Sequence, residues 1–178
     1  MHKDPAVVAL YGDSGVGKTT DTLFSFPKGL FVAAPGSLKP AVAVVGYVPA
    51  AIEVRTIPEA TALLPKAKEK GFTALVIDDF SLMADYTFSE LDKSYSGFRL
   101  FGRMRDILLG FREAARWSKL HIILTAHARG PHIDVTKGKV RGGPRLPGTM
   151  PEDLPVACDT VLQAVRVDDA RGWSAAYR

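Results

Sequence analysis

Short apolar runs alternate with amphipathic segments along most of this chain. Ala6–Tyr11 is an apolar run ended by Gly12, the pattern of a strand buried on both faces. Lys18–Ser25 reads as the helix that follows, stopped near Pro27. Leu30–Ala34 reads as a second buried strand. Ile52–Ile57 alternates and reads as a further short strand, with Pro58 at the first position of a helix over Glu59–Lys70 that Gly71 ends. Thr73–Asp78 is the third core strand. After it a helix is expected around Leu82–Leu91. Leu100–Trp117 places Met104, Leu108, Phe111 and Ala115 at helical spacing. His121–Ala126 is the next buried strand. Gly130–Pro155, rich in Gly, Pro and basic residues, is expected to hold a hairpin turning near Lys137–Gly138, and Thr160–Val167 to close the sheet.

Strands that alternate with helices predict an α/β fold, a three-layer sandwich around a mostly parallel sheet. With 178 residues and no repeat or linker, the chain reads as one domain over 1–178. Ligands on such sheets bind where the strands end. The residues with chemistry fall there.

Gly12 to Thr19 read GDSGVGKT, the Walker A pattern, with an apolar strand before it and a helix after it. Glycines let the backbone of Gly12, Asp13, Ser14, Gly15, Val16 and Gly17 curl so that its N–H groups face phosphate oxygens. The helix beginning near Lys18 adds its positive end, and Thr20 lies in its first turn. Lys18 is expected to reach the β and γ phosphates, and the Thr19 hydroxyl to ligate Mg2+. ALVIDD, Ala74 to Asp79, ends an apolar run in acid, the Walker B pattern. Asp78 is expected to hold Mg2+ through its water shell. ATP with Mg2+ is the expected ligand.

Other residues keep two readings. Asp79 either orients the attacking water or caps the segment beginning at Phe80. In HIILTAHAR, Thr125 or His127 senses the γ-phosphate, or the His simply bonds a loop carbonyl, while His121 starts the strand at its opposite end. Lys137, Lys139, Arg141 and Arg145 share one Gly-rich stretch. They suit a nucleic-acid backbone, or a neighbouring subunit's nucleotide as an arginine finger, or simply solvent. Tyr86, Phe88 and Tyr95 either stack bases or pack in the core.

Composition narrows the setting. The formal charge of +4 permits a nucleic-acid partner without requiring one. One cysteine, Cys158, excludes an internal disulfide and a Cys-based zinc site. No apolar run approaches membrane-spanning length, and the N-terminal run leads directly into the glycine-rich motif. A cytoplasmic protein without a membrane partner is the expectation. Asn is absent and Gln163 is the sole Gln. Loss of thermolabile amides points to a thermophilic source, with a GC-rich genome as the alternative.

The order of Walker A, ALVIDD, a long helix and HIILTAH resembles the RecA-like branch of P-loop ATPases, in particular small core-only ATPases of phages. Gly142–Val167, with GGPRLPG and CDTVLQAVRV, resembles the end of those proteins. The resemblance implies a sensor strand lying between the Walker A and Walker B strands. It also implies a role in phage DNA recombination, annealing or replication in a host bacterium. RecA-type proteins carry a catalytic Glu after the second strand; Leu30 to Gly36 hold none, so Asp79 substitutes, hydrolysis is slow, or ATP acts as a switch. A DNA-directed ATPase, homo-oligomeric and bound to single-stranded DNA, is the leading expectation. A small-molecule phosphotransferase with Arg129–Arg145 as lid, and a nucleotide-switched assembly module, are the alternatives. The guanine-reading Asn-Lys-x-Asp motif cannot exist in a chain without Asn.

Overall fold

The computed structural model describes residues 4–134, 139–148, 150–169 and 172–177. In chain order they form β1 (Val7–Gly12), α1 (Lys18–Ser25), β2 (Leu30–Ala33), α2 (Lys39–Val45), β3 (Ala50–Glu53), α3 (Ile57–Glu69) and β4 (Ala74–Asp78). There follow α4 (Phe80–Asp92), α5 (Gly97–Ser118), β5 (His121–Asp134), β6 (Lys139–Pro144), α6 (Met150–Ala157), β7 (Thr160–Asp169) and β8 (Gly172–Tyr177).

The strands lie in the order β3-β2-β4-β5-β1-β7-β8, with β6 beside the distal part of β5. From β3 through β7 every neighbouring pair is parallel. The β5–β6 and β7–β8 pairs are antiparallel. The strand expected to carry the sensor does lie between the two Walker strands.

Alternation along the buried strands distributes side chains to both faces of the sheet. Leu30, Val32, Leu75, Ile77, Ile122 and Leu124 pack with Leu64, Met83, Leu108, Phe111 and Leu154 from α3 to α6. Phe31, Val76 and Ile123 face the other way, onto Leu23 of α1 and Ala41 of α2. Each such large side chain, fully buried, stabilises the fold by about 1.5–3 kcal/mol. The result is helix on sheet on helix, the predicted three layers.

Local chemistry sets the ends of the helices. Thr56 and Glu59 form a reciprocal capping box at the start of α3, and Gly71, at φ 82°, follows its end. The stripe Leu100, Met104, Leu108, Phe111 and Ala115 buries one face of α5, as its spacing predicts.

Several boundaries differ from the sequence reading. β3 is Ala50–Glu53 and not Ile52–Ile57, because Thr56 caps α3 and draws Ile57 into the helix. Two helices were not foreseen. α2 is bracketed by Pro40 near its first turn and Gly46 at φ 75°, yet its Ala-Val-Ala-Val-Val core looks strand-like. α6 contains Pro155, which made the segment read as loop. β7 does not close the sheet: β8 folds back along it as a further antiparallel strand. The expected hairpin is formed by β5 and β6; its turn near Lys137–Gly138 lies outside the described residues.

Candidate functional site

The loop from Gly12 to Thr19 leaves the C-terminal end of β1 and enters α1. Gly15 and Gly17 have φ of 79° and 97°, a region other residues avoid, and a Cβ at either would point into open space. Gly12 is fixed for a different reason. A Cβ there would stand 2.5 Å from the carbonyl oxygen of Ala164 on β7. The Lys18 ammonium is buried under this loop and donates to the carbonyl oxygens of Gly12 (2.9 Å) and Asp13 (2.8 Å). Burial lowers its pKa, against the attraction of Asp79, Asp78 and Asp13.

Asp78 ends β4, two strands from the loop, and is only 2% exposed. Its Oδ1 accepts from the Thr19 hydroxyl at 2.9 Å and from the Thr125 hydroxyl on the intervening β5. Burial raises the Asp78 pKa, the bonds from Thr125 and Thr19 lower it, and neighbouring Asp79 raises it again. Ser37, from the loop after β2, donates to the Asp78 main-chain carbonyl at 2.8 Å.

Asp79 takes the capping role, and its second carboxylate oxygen faces His127. Its Oδ1 accepts from Leu82 N at 3.0 Å and so caps α4, while its Oδ2 lies 2.6 Å from His127 Nε2. His127 is level with Gly12 in the β1–β5 register, which puts this pair beside the start of the loop. Its N–H donates to the buried Ser81 hydroxyl at 3.0 Å, and its carbonyl accepts from Arg145 N at 2.7 Å. The Arg145 guanidinium in turn pairs with Asp85 of α4 at 2.9 Å.

The structure thus gathers Lys18, Thr19, Asp78, Asp79, Thr125 and His127 at one edge of the sheet. Thr125 is buried and bonded to Asp78 and Ile77, so of the two sensor candidates only His127 presents a partly exposed side chain. His121, at the far end of β5, accepts from Ala6 N. Lys139 and Arg141 lie on β6, paired with Asp134 and His132. Lys137 lies outside the described residues. Among the aromatic candidates, Phe88 packs on the core and on Phe101, which removes it as a stacking surface, and the Arg103 guanidinium lies 5.6 Å above Tyr95. Tyr86 is partly exposed.

β2 ends in Ala33 and Ala34, as the sequence shows. Two acids flank the end of β2: Asp78 on β4, and on the other side Glu53 of β3, which accepts from Gly36 N at 3.2 Å. Ser37, Ser81 and Asp85 escaped sequence reasoning. They stand in no motif, and only the fold brings them to the site.

Residues 4–174 match the profile of a family described as an AAA domain. The chain belongs to that family. Among solved structures, a KaiC-like protein from the hyperthermophilic archaeon Pyrococcus horikoshii is similar at 15% identity, with a TM-score of 0.57. The match covers 98% of this chain and 77% of that one. A search of curated proteins gives no match. Family and fold together make this a RecA-like P-loop ATPase domain. No helix among its described residues is long and apolar enough to cross a membrane.

Proposed function

We propose that this AAA-family domain binds Mg2+-ATP on Gly12–Thr20, hydrolyses it slowly, and acts on DNA as a homo-oligomer. One observation carries the nucleotide reading: the Thr19 hydroxyl and the Asp78 carboxylate meet 2.9 Å apart beneath an open glycine cradle. Both are hard oxygen donors of the kind Mg2+ takes, and the cradle has room for phosphate oxygens where a Cβ would stand free. The residues fit the ligand. Thr19 would hold the metal directly and Asp78 through its water shell; bound there, Mg2+ supplies charge neutralisation for the phosphates. Lys18 has its ammonium on two loop carbonyls at the floor of the cradle, from which a small side-chain movement brings it to phosphate.

In this reading Asp79 and His127 handle the attacking water. The Asp79 carboxylate holds Nε2 of the imidazole, which leaves Nδ1 to accept a proton or a hydrogen bond. No Glu stands at the end of β2 to do this work, which is why turnover is expected to be slow.

The DNA reading is supported by position. The β5–β6 hairpin is a direct continuation of the strand that carries His127, and it bears Lys139 and Arg141, with Arg145 just beyond and Lys137 in the same stretch. Arg145 is tied to His127 and Asp85, which suits a fixed ridge better than a lid that closes over a small substrate.

The test compares ATPase rate with and without single-stranded DNA, alongside particle mass with nucleotide present. The wild type is set against a variant with Lys137, Lys139, Arg141 and Arg145 replaced by Ala. Four phosphate contacts give a log–log salt slope of about −3 for DNA binding, lost in the variant. A wild type without salt-sensitive DNA binding, with or without ATP, refutes the DNA reading. Transfer of phosphate to a small acceptor would move the kinase reading ahead.

A further inference from the structure

The P-loop has two sides. Toward β5 and β4 lie Thr19, Asp78, Asp79 and His127, the groups fitted to the metal and the γ-phosphate end. On the other side stand β7 and β8. Gly12 is paired with Ala164 of β7, and Ala164 with Tyr177 of β8, so Tyr177 is level with the first residue of the loop. Its phenol reaches across to α1, where the hydroxyl donates to Asp21 Oδ2 at 2.5 Å. Asp21 lies two residues beyond Thr19, in the first turn of α1. The pair is therefore a polar, aromatic wall on the rim of the cradle.

Its exposure is informative. Tyr177 is 40% exposed and Asp21 partly so, so their hydrogen bond is reachable from solvent. Burial, then the bond and charge of Asp21, push the Tyr177 pKa upward, so the phenol remains a donor across the working pH range. A nucleotide whose γ-phosphate end lies toward β4 and β5 would extend its nucleoside toward the β7–β8 side of the loop, where this pair stands.

We propose that Tyr177 and Asp21 form the nucleoside subsite, the ring stacking on a purine base and the carboxylate accepting hydrogen bonds from ribose hydroxyls. This rests on the P-loop being a nucleotide site, and the experiment separates the two. Binding of ATP and of inorganic tripolyphosphate, each with Mg2+, is measured by calorimetry for the wild type, Tyr177→Ala, Tyr177→Phe and Asp21→Ala. Tyr177→Ala should weaken ATP about tenfold, within the range of a base–aromatic stack, and leave tripolyphosphate unchanged. Tyr177→Phe, which keeps the ring, should stay near the wild type. Asp21→Ala should bind ATP and its 2′,3′-dideoxy analogue equally, whereas the wild type prefers ATP. If Tyr177→Ala binds ATP as the wild type does, or loses ATP and tripolyphosphate equally, the subsite is refuted while the P-loop reading stands. If the wild type binds neither ligand, the nucleotide reading fails and takes this one with it.

Discussion

Replacing Asp78 by Asn should make the nucleotide-free domain more stable at pH 8, even though it removes the carboxylate proposed to hold Mg2+ through its water shell. The carboxyl is almost wholly buried, and burial is the dominant influence on it, raising its pKa above the ordinary 3.8. A group with a raised folded pKa contributes stability that is fully present below the unfolded value. That stability is lost as pH rises through the folded one. The ionised carboxylate is therefore a cost that grows toward alkaline pH, offset only in part by the hydroxyls of Thr19 and Thr125. Asn keeps the shape and an acceptor oxygen without the charge. Relief of about 1 kcal/mol, ordinary for a functional site traded for stability, raises the melting temperature of a domain this size by about 2–4 °C. The gain should shrink as pH falls, because the wild-type carboxyl then takes up a proton itself. Mg2+-ATP at 100 times its Kd should stabilise the wild type by about 2.7 kcal/mol, and Asp78→Asn should lose the Mg2+-dependent part. Thermal melts in EDTA and in Mg2+-ATP at several pH values measure both effects. A variant that melts below the wild type in EDTA at pH 8 would refute the reasoning, because the hydroxyl bonds would then outweigh burial.

Lys18→Ala should abolish tight ATP binding in a folded domain, since among the described residues the ammonium hydrogen-bonds only the loop carbonyls of Gly12 and Asp13; unchanged affinity would sink the phosphate assignment. Asp79→Asn should keep the cap on α4, and Asp79→Ala should lose about 1 kcal/mol of it, while both slow hydrolysis by about 100-fold. Normal turnover in either places the base elsewhere. Burial, and then the charge of Asp159, hold the Cys158 thiol up at about 12, so at pH 8 its reaction with a disulfide reagent should be about a thousandfold slower folded than unfolded. Comparable rates would show the thiol to be accessible and ionised. If the absence of Asn reflects heat adaptation, the wild type should melt above the roughly 45–65 °C of mesophile domains, and a midpoint near 50 °C returns the explanation to codon composition.

What could be read in advance follows from how local each signal is. Phosphate binding needs a particular backbone path over Gly12–Thr19, and that path needs glycines at fixed places, so chemistry writes itself into adjacent residues. The stripe on α5 was legible because one long helix buries one face. By contrast, α2 and α6 carry Pro and Gly within or beside short helices, which in isolation mark loops. β8 has too weak an apolar alternation to declare itself, and its place is set by pairing with β7. The hydrogen bonds from Ser37, Thr125 and Ser81 join residues distant in sequence, and no local pattern encodes them.

The same contrast explains the construction of the site. Thr125 and His127 stand two apart on β5, so their side chains leave the same face of the strand. Each meets one of two adjacent acids at the end of β4: Thr125 meets Asp78 and His127 meets Asp79. The Asp78 carboxylate and the cap of α4 are thereby bound to one strand, and that strand runs on into the β5–β6 hairpin. His127 is the hinge of this arrangement, because its side chain holds Asp79 while its carbonyl holds the N–H of Arg145. A phosphate oxygen that drew the imidazole from Asp79 would act on the backbone to which the end of the hairpin is tied. If His127 is the γ-phosphate sensor, its bond to Asp79 is the one it would exchange, and β5 is the element attached to it.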